Sequence, residues 1–94
     1  MNLLDFCAAL SNETRLWLVS ILLEDGPITS KAAHEIFVKE YEERRRQSIH
    51  SALETLVEAE VVSKSYSEEN GGIVYQVRES QFIIDLASLE VEPE

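Results

Sequence analysis

The stretch ERRRQSIHSALETLVEAEVV, residues 43–62, sets three of the chain's five arginines side by side at the head of a segment with a helical rhythm. Ile49, Ala52, Leu53, Leu56 and Val57 recur at intervals of three and four, so they share one face of a helix over about 45–59. His50, Ser51, Glu54, Thr55 and Glu58 occupy the opposite, polar face. Arg44, Arg45 and Arg46 precede the first core position and fall near the helix N-terminus. Cations there oppose the helix dipole, which points to a use for the charge other than stability.

Working toward the N-terminus, Ile28 begins a short extended piece, and Thr29 or Ser30 caps a helix whose Ala33, Ile36, Phe37 and Tyr41 keep a 3.6-residue period to about Glu43. Before it, "EDGP" (24–27) ends a strongly apolar helix that carries Leu16 to Leu23 and is capped by Ser11 or Asn12. Leu3, Leu4, Phe6, Cys7 and Leu10 predict a short first helix over 3–10 with apolar residues on more than one face. Toward the C-terminus, "VVSKSYS" (61–67) and "IVYQV" (73–77) alternate as strands, joined by the glycine-bearing turn "EENGG" (68–72). Ser80 caps a fifth predicted helix over 80–89, with a stripe of Phe82, Ile83, Leu86 and Leu89 before "EVEPE" frays. The expected fold is mainly α with a small β-hairpin, in the order helix, helix, short strand, helix, helix, hairpin, helix. Three core helices followed by a two-stranded wing make a winged helix-turn-helix, with the fourth helix in the recognition position.

Two segments carry a family resemblance. "ALSNETRL" (9–16) resembles the helix-opening signature of the arsenic-repressor-like (ArsR-type) winged-helix transcriptional regulators, and "SIHSALETLVEAEVV" (48–62) resembles their recognition helix running into the wing. The similarity spans about residues 3–78. It implies a homodimer joined through the first and last helices, here Leu3, Leu4 and Phe6 with Phe82, Ile83, Leu86 and Leu89. The segment "KEYEERRRQ" (39–47) departs from the family in being long and free of glycine. Cysteine pairs and His/Asp sets, which the family's metal sensors use, are absent from the sequence.

Length and charge bound the reading. Ninety-four residues form one domain, with a core over about 11–78 flanked by the terminal helices, and a chain this small gains from dimerisation. Cys7 is the only cysteine, so no internal disulfide is expected, and in an apolar helix it reads as a packed, inert thiol. No apolar run approaches the roughly 20 residues of a membrane span, and no basic flank marks a secretory signal. A cytoplasmic protein without cofactor or metal is expected; His34 and His50 lie on different helices with no ligand spacing. Catalysis finds no phosphate loop, nucleophile elbow or spaced acid pair to rest on.

The net charge of −10 and a pI near 4.5 are unusual for a nucleic-acid binder. Local contact resolves the tension, because charges beyond about 8 Å are heavily screened at physiological salt. Arg45, Arg46, Gln47, Ser48, His50 and Ser51 are expected to meet bases and phosphates of double-stranded DNA, with Arg44 and Lys64 as outlying phosphate anchors. Thr29 and Ser30 would add backbone contacts. Glu54 and Glu58 limit the contact to the first two helical turns. For the arginines alone, the structural alternative is a solvated helix face paired with Glu40, Glu42 and Glu43. For the whole chain, the alternative is an acidic winged-helix module that docks on a basic transcription-related protein without direct DNA binding, which the acidic wing tip, Glu68 and Glu69, favours. Arg15 is expected in a structural ion pair with a neighbouring helix, and Trp17 in the core.

Overall fold

In the computed structural model, which describes residues 1–94, the chain forms α1 (Leu3–Leu10), α2 (Glu13–Asp25), β1 (Ile28–Thr29), α3 (Ser30–Glu40), α4 (Arg46–Glu58), β2 (Val62–Ser67), β3 (Gly72–Val77), β4 (Phe82–Asp85) and β5 (Glu90–Pro93). It is an α+β domain of four helices with two small antiparallel sheets, ordered β1-β3-β2 and β4-β5. No single helix is long and apolar enough to cross a membrane.

Each of the first three helices starts on a side chain that accepts an otherwise orphaned amide. The Asn2 carbonyl oxygen takes the Asp5 N–H, Asn12 takes that of Arg15, and the Thr29 hydroxyl takes that of Ala32. Leu18, Ile21 and Leu22 of α2, Ala33 and Phe37 of α3, and Ile49, Leu53 and Leu56 of α4 meet in one core. The α2 helix is less enclosed than its composition predicts, since Leu16 and Leu23 are about half exposed. Trp17 is half-buried and stacks on Tyr41, with ring centroids 4.7 Å apart, closing the core at the end of α3. Arg15 makes no ion pair. Its guanidinium instead donates to the Ala9 carbonyl oxygen at 2.6 Å and to that of Ala8, shared with Ser11, at 3.2 Å, at the end of α1 where the dipole favours a cation. Cys7, expected to be packed, is exposed on α1.

The β2–β3 hairpin is tied to the helices by β1, which pairs Ile28 with Tyr75 and Thr29 with Val74. Its register runs from Val62 opposite Val77 to Ser67 opposite Gly72. The α3 helix ends at Glu40, three residues before the expected stop, where Tyr41 leaves helical geometry at φ −120° and ψ −82°.

The predicted fifth helix over 80–89 is replaced by a second hairpin, β4–β5, and "EVEPE" does not fray but supplies β5. Two features select strands over helix. Asp85 accepts the N–H groups of Ala87 and Ser88, and Leu89 takes φ +59°, which together reverse the chain. The far edge of β5 is then closed by the N-terminus: the Met1 ammonium donates to the Val91 carbonyl at 2.8 Å, Val91 N–H returns a bond to Met1, and Leu3 N–H donates to Leu89. Phe82 and Val91 turn inward, with Val91 fully buried and Phe82 against Phe6 at 5.1 Å. The spacing of Phe82, Ile83, Leu86 and Leu89 mimics a helical stripe, but Phe82–Ile84 on β4 and Val91–Pro93 on β5 satisfy the two-residue period of a sheet.

Gly26 is required by close approach rather than by its torsions. A Cβ there would lie 2.6 Å from the Leu22 carbonyl oxygen and 3.3 Å from that of Tyr75, both backbone atoms. Gly72 has nothing within 4 Å of the same position. Gly26→Ala is therefore expected to destabilise the fold by about 1–3 kcal/mol, and Gly72→Ala to stay within about 0.5 kcal/mol, in urea unfolding followed by circular dichroism.

Candidate nucleic-acid interface

The α4 helix differs from the other three at its start. Its N-cap is Arg45, whose side chain makes no capping hydrogen bond. The linker before it is held by backbone-directed contacts: His34 Nε2 lies 2.7 Å from the Arg44 carbonyl oxygen. Burial of Ile49, Ala52, Leu53 and Leu56 fixes the helix's rotation about its axis. The opposite face, Gln47, Ser48, His50 and Ser51, is therefore exposed.

The arginine run divides. Arg44 is neutralised: its guanidinium meets a Glu42 carboxylate oxygen at 2.7 Å and donates to the Glu43 carbonyl oxygen at 3.0 Å. Arg45 and Arg46 are exposed, and neither lies within 4.0 Å of a carboxylate oxygen. Two free guanidiniums thus stand beside an uncapped helix N-terminus, a combination that attracts anions.

Two open grooves meet at Gln47, in the first turn of α4. One, of about 560 Å³, runs between α4 and the β2–β3 hairpin, with Arg46, Gln47, His50 and Glu54 on one side and Lys64 and Tyr75 on the other. Ser30 joins it from α3, its hydroxyl 3.3 Å from His50 Nδ1. The second, of about 430 Å³, lies between α4 and the start of α2, where Asn12 and Thr14 face Gln47, Ser48 and Ser51. Sequence reading missed Asn12 and Thr14. They are far from α4 along the chain, and only the packing of α2 on α4 brings their polar groups beside it. Thr29, expected to contact a ligand, instead uses its hydroxyl to cap α3.

Lys64 is also engaged. Its ammonium donates to Glu54 Oε1 at 2.8 Å, and the Tyr75 hydroxyl donates to Oε2 at 2.6 Å. Glu54, read from sequence as a repulsive limit on contact, is therefore a paired carboxylate. The Lys64 bond, followed by the Tyr75 bond, holds its carboxyl below the ordinary value of 4.5, while desolvation opposes them. Burial and the neighbouring carboxylate both push the Tyr75 hydroxyl upward, so it stays a donor. Glu68 and Glu69 stand exposed at the hairpin tip without a cation.

Of the apolar residues expected at a dimer face, Phe6 is only 7% exposed and lies inside the protomer, and Leu3 is half-buried against the same core. Leu4, Ile83, Leu86 and Leu89 are more than half exposed. No group of three or more His, Cys, Asp or Glu side chains converges at metal-binding distance.

Comparison of the chain with family models, with curated proteins and with solved structures found no match.

The Glu54 pairing sets a pH dependence. The folded carboxyl binds a proton less readily than the unfolded one, so its contribution to stability is complete above 4.5 and fades as pH falls through the lower folded value. Unfolding midpoints measured across this range should show Glu54→Gln less stable than wild type at pH 7, with the gap closing as the medium is acidified well below 4.5.

Proposed function

We propose that the protein is a winged helix-turn-helix DNA-binding regulator that acts as a homodimer, with α3 and α4 as the helix-turn-helix and the β2–β3 hairpin as the wing. On this reading α4 enters the major groove of duplex DNA, its partner copy reads the next half-site, and the chain works in the cytoplasm without cofactor or catalysis. The single observation that carries it is the pair of unpaired, exposed guanidiniums, Arg45 and Arg46, beside the one helix N-terminus that no side chain caps. Phosphate would meet amides and guanidiniums together there. Gln47, Ser48, His50 and Ser51 follow along the exposed face and can reach base edges.

The element order through β3 agrees with an ArsR-like relationship, which we retain as part of the proposal. The C-terminal β4–β5 hairpin departs from it, because the family resemblance implies a helix there.

A second reading has its own support. Lys64 and Arg44 are already neutralised by Glu54 and Glu42, and the hairpin tip presents Glu68 and Glu69. An acidic docking module for a basic transcription-related protein would look the same.

A salt titration separates the two. With a duplex selected from a random pool, log affinity should fall with log salt at a slope of about −0.9 for each phosphate neutralised. Arg45→Ala combined with Arg46→Ala should weaken binding at least tenfold and flatten the slope by about 0.9 for each phosphate that the variant no longer neutralises. Absence of any duplex binding at about 50 mM salt would transfer the assignment to the protein-docking module.

A further inference from the structure

We propose that two copies of this chain pair through β4, edge to edge and antiparallel, to form one four-stranded sheet β5-β4-β4-β5. This deepens the homodimer of the DNA-binding reading by naming its contact surface, and it stands on geometry independent of DNA.

The β4–β5 hairpin has one closed edge and one open one. Met1 exchanges two bonds with Val91 of β5 and Leu3 donates to Leu89 just before it, whereas β4 pairs only with β5. Antiparallel ladders alternate between hydrogen-bonded and non-bonded pairs, and the bond from Glu94 N–H to the Gln81 carbonyl fixes the phase. Ile83–Glu92 and Asp85–Glu90 are then the bonded pairs, and Pro93, which has no N–H, falls opposite Phe82 in a non-bonded one. It follows that the N–H and C=O groups of Phe82 and Ile84 point away from β5, toward the open edge.

That edge is protected only by its shortness and by Asp85 at its end. The strand Phe-Ile-Ile-Asp carries no lysine, proline or covering segment. Ile83 and Ile84 are about half exposed, and Leu86 and Leu89, in the adjoining turn, are 74% and 60% exposed. Ile83, Ile84 and Leu86 present on the order of 300 Å² of apolar surface at β4 and its turn, part of the roughly 800 Å² per partner that a stable interface covers, before any strand backbone is added. The total accessible surface of 5989 Å² exceeds the roughly 5,500 Å² expected of a monomer of this mass, in the direction of a chain with a face to cover.

A second copy fits because the edge complements itself. With a two-fold axis at Ile83, Phe82 meets Ile84 of the other copy and Ile84 meets its Phe82, giving four backbone hydrogen bonds. Ile83 then faces its own counterpart on the outer surface at cross-strand contact distance. Asp85 falls opposite the other copy's Gln81, so the register sets no two carboxylates directly against each other.

The test is the oligomeric state of the full chain without DNA, so a failure here is distinct from a failure to bind duplex. Sedimentation should report twice the chain mass of 10.7 kDa for wild type. Ile84→Pro removes an N–H that β5 does not use, and Ile83→Lys sets like charges opposite each other across the axis; each should give a monomer with unchanged far-ultraviolet circular dichroism. Wild-type exchange of the Phe82 and Ile84 amides should slow at least tenfold between dilute and concentrated protein, a readout that needs no variant. A monomeric wild type, a dimer that survives Ile83→Lys, or exchange at Phe82 and Ile84 independent of concentration would each overturn the pairing.

Discussion

Burial of the α4 stripe is the constraint on which the rest depends. Ile49, Leu53 and Leu56 are fully enclosed by α2, α3 and the first sheet, and a helix with three such anchors cannot rotate about its own axis without emptying the core. Their enclosure settles which side chains face outward. Gln47, Ser48, His50 and Ser51 are exposed because their neighbours are not, and Arg45 and Arg46 project at the start of the same helix because the core contact begins only at Ile49.

Electrostatics then divide the surface into used and unused charge. Arg44, Lys64, Arg78 and the N-terminal ammonium each have a carboxylate within 4.0 Å, and Arg15 is held by the carbonyl end of α1. Exposed pairs of this kind contribute little to stability, but they do remove cations from competition for an external anion. Arg45 and Arg46, like Lys31 and Lys39, have no carboxylate within 4.0 Å, and the two arginines stand at the uncapped start of α4, where the helix dipole also favours an anion. An acidic chain can thus carry a local anion-attracting point, since the remaining acids act across distances that salt screens.

The two ends of the chain are structurally one unit. Met1 and Leu3 pair with β5, and Phe6 packs on Phe82, so the N-terminal helix and the C-terminal hairpin stabilise each other across nearly the whole sequence. Residues that look like a dimer face when read along α1 alone, Phe6 above all, turn out to be occupied within the protomer. The apolar surface left over gathers at β4 and its turn, on the one strand edge in this unit that has no neighbour.

Much of this was legible in the sequence. The period of Ile49, Ala52, Leu53 and Leu56, the caps at Asn12 and Thr29, the stop at "EDGP" and the glycine-bearing hairpin turn are local signals, and local chemistry decides them. The candidate site was legible for the same reason: its residues lie consecutively on α4. Three features were not local and could be decided only by tertiary structure. Whether an arginine or lysine is free depends on which carboxylate the fold carries to it, as Glu54 reaches Lys64 across ten residues. Whether Asn12 and Thr14 flank α4 depends on the packing of α2. Whether residues 80–94 form helix or strand is not settled by periodicity, because a short apolar run satisfies both periods; the Asp85–Leu89 reversal that sets β5 beside β4, and the N-terminal residues that bond Val91 and Leu89, belong to the folded hairpin.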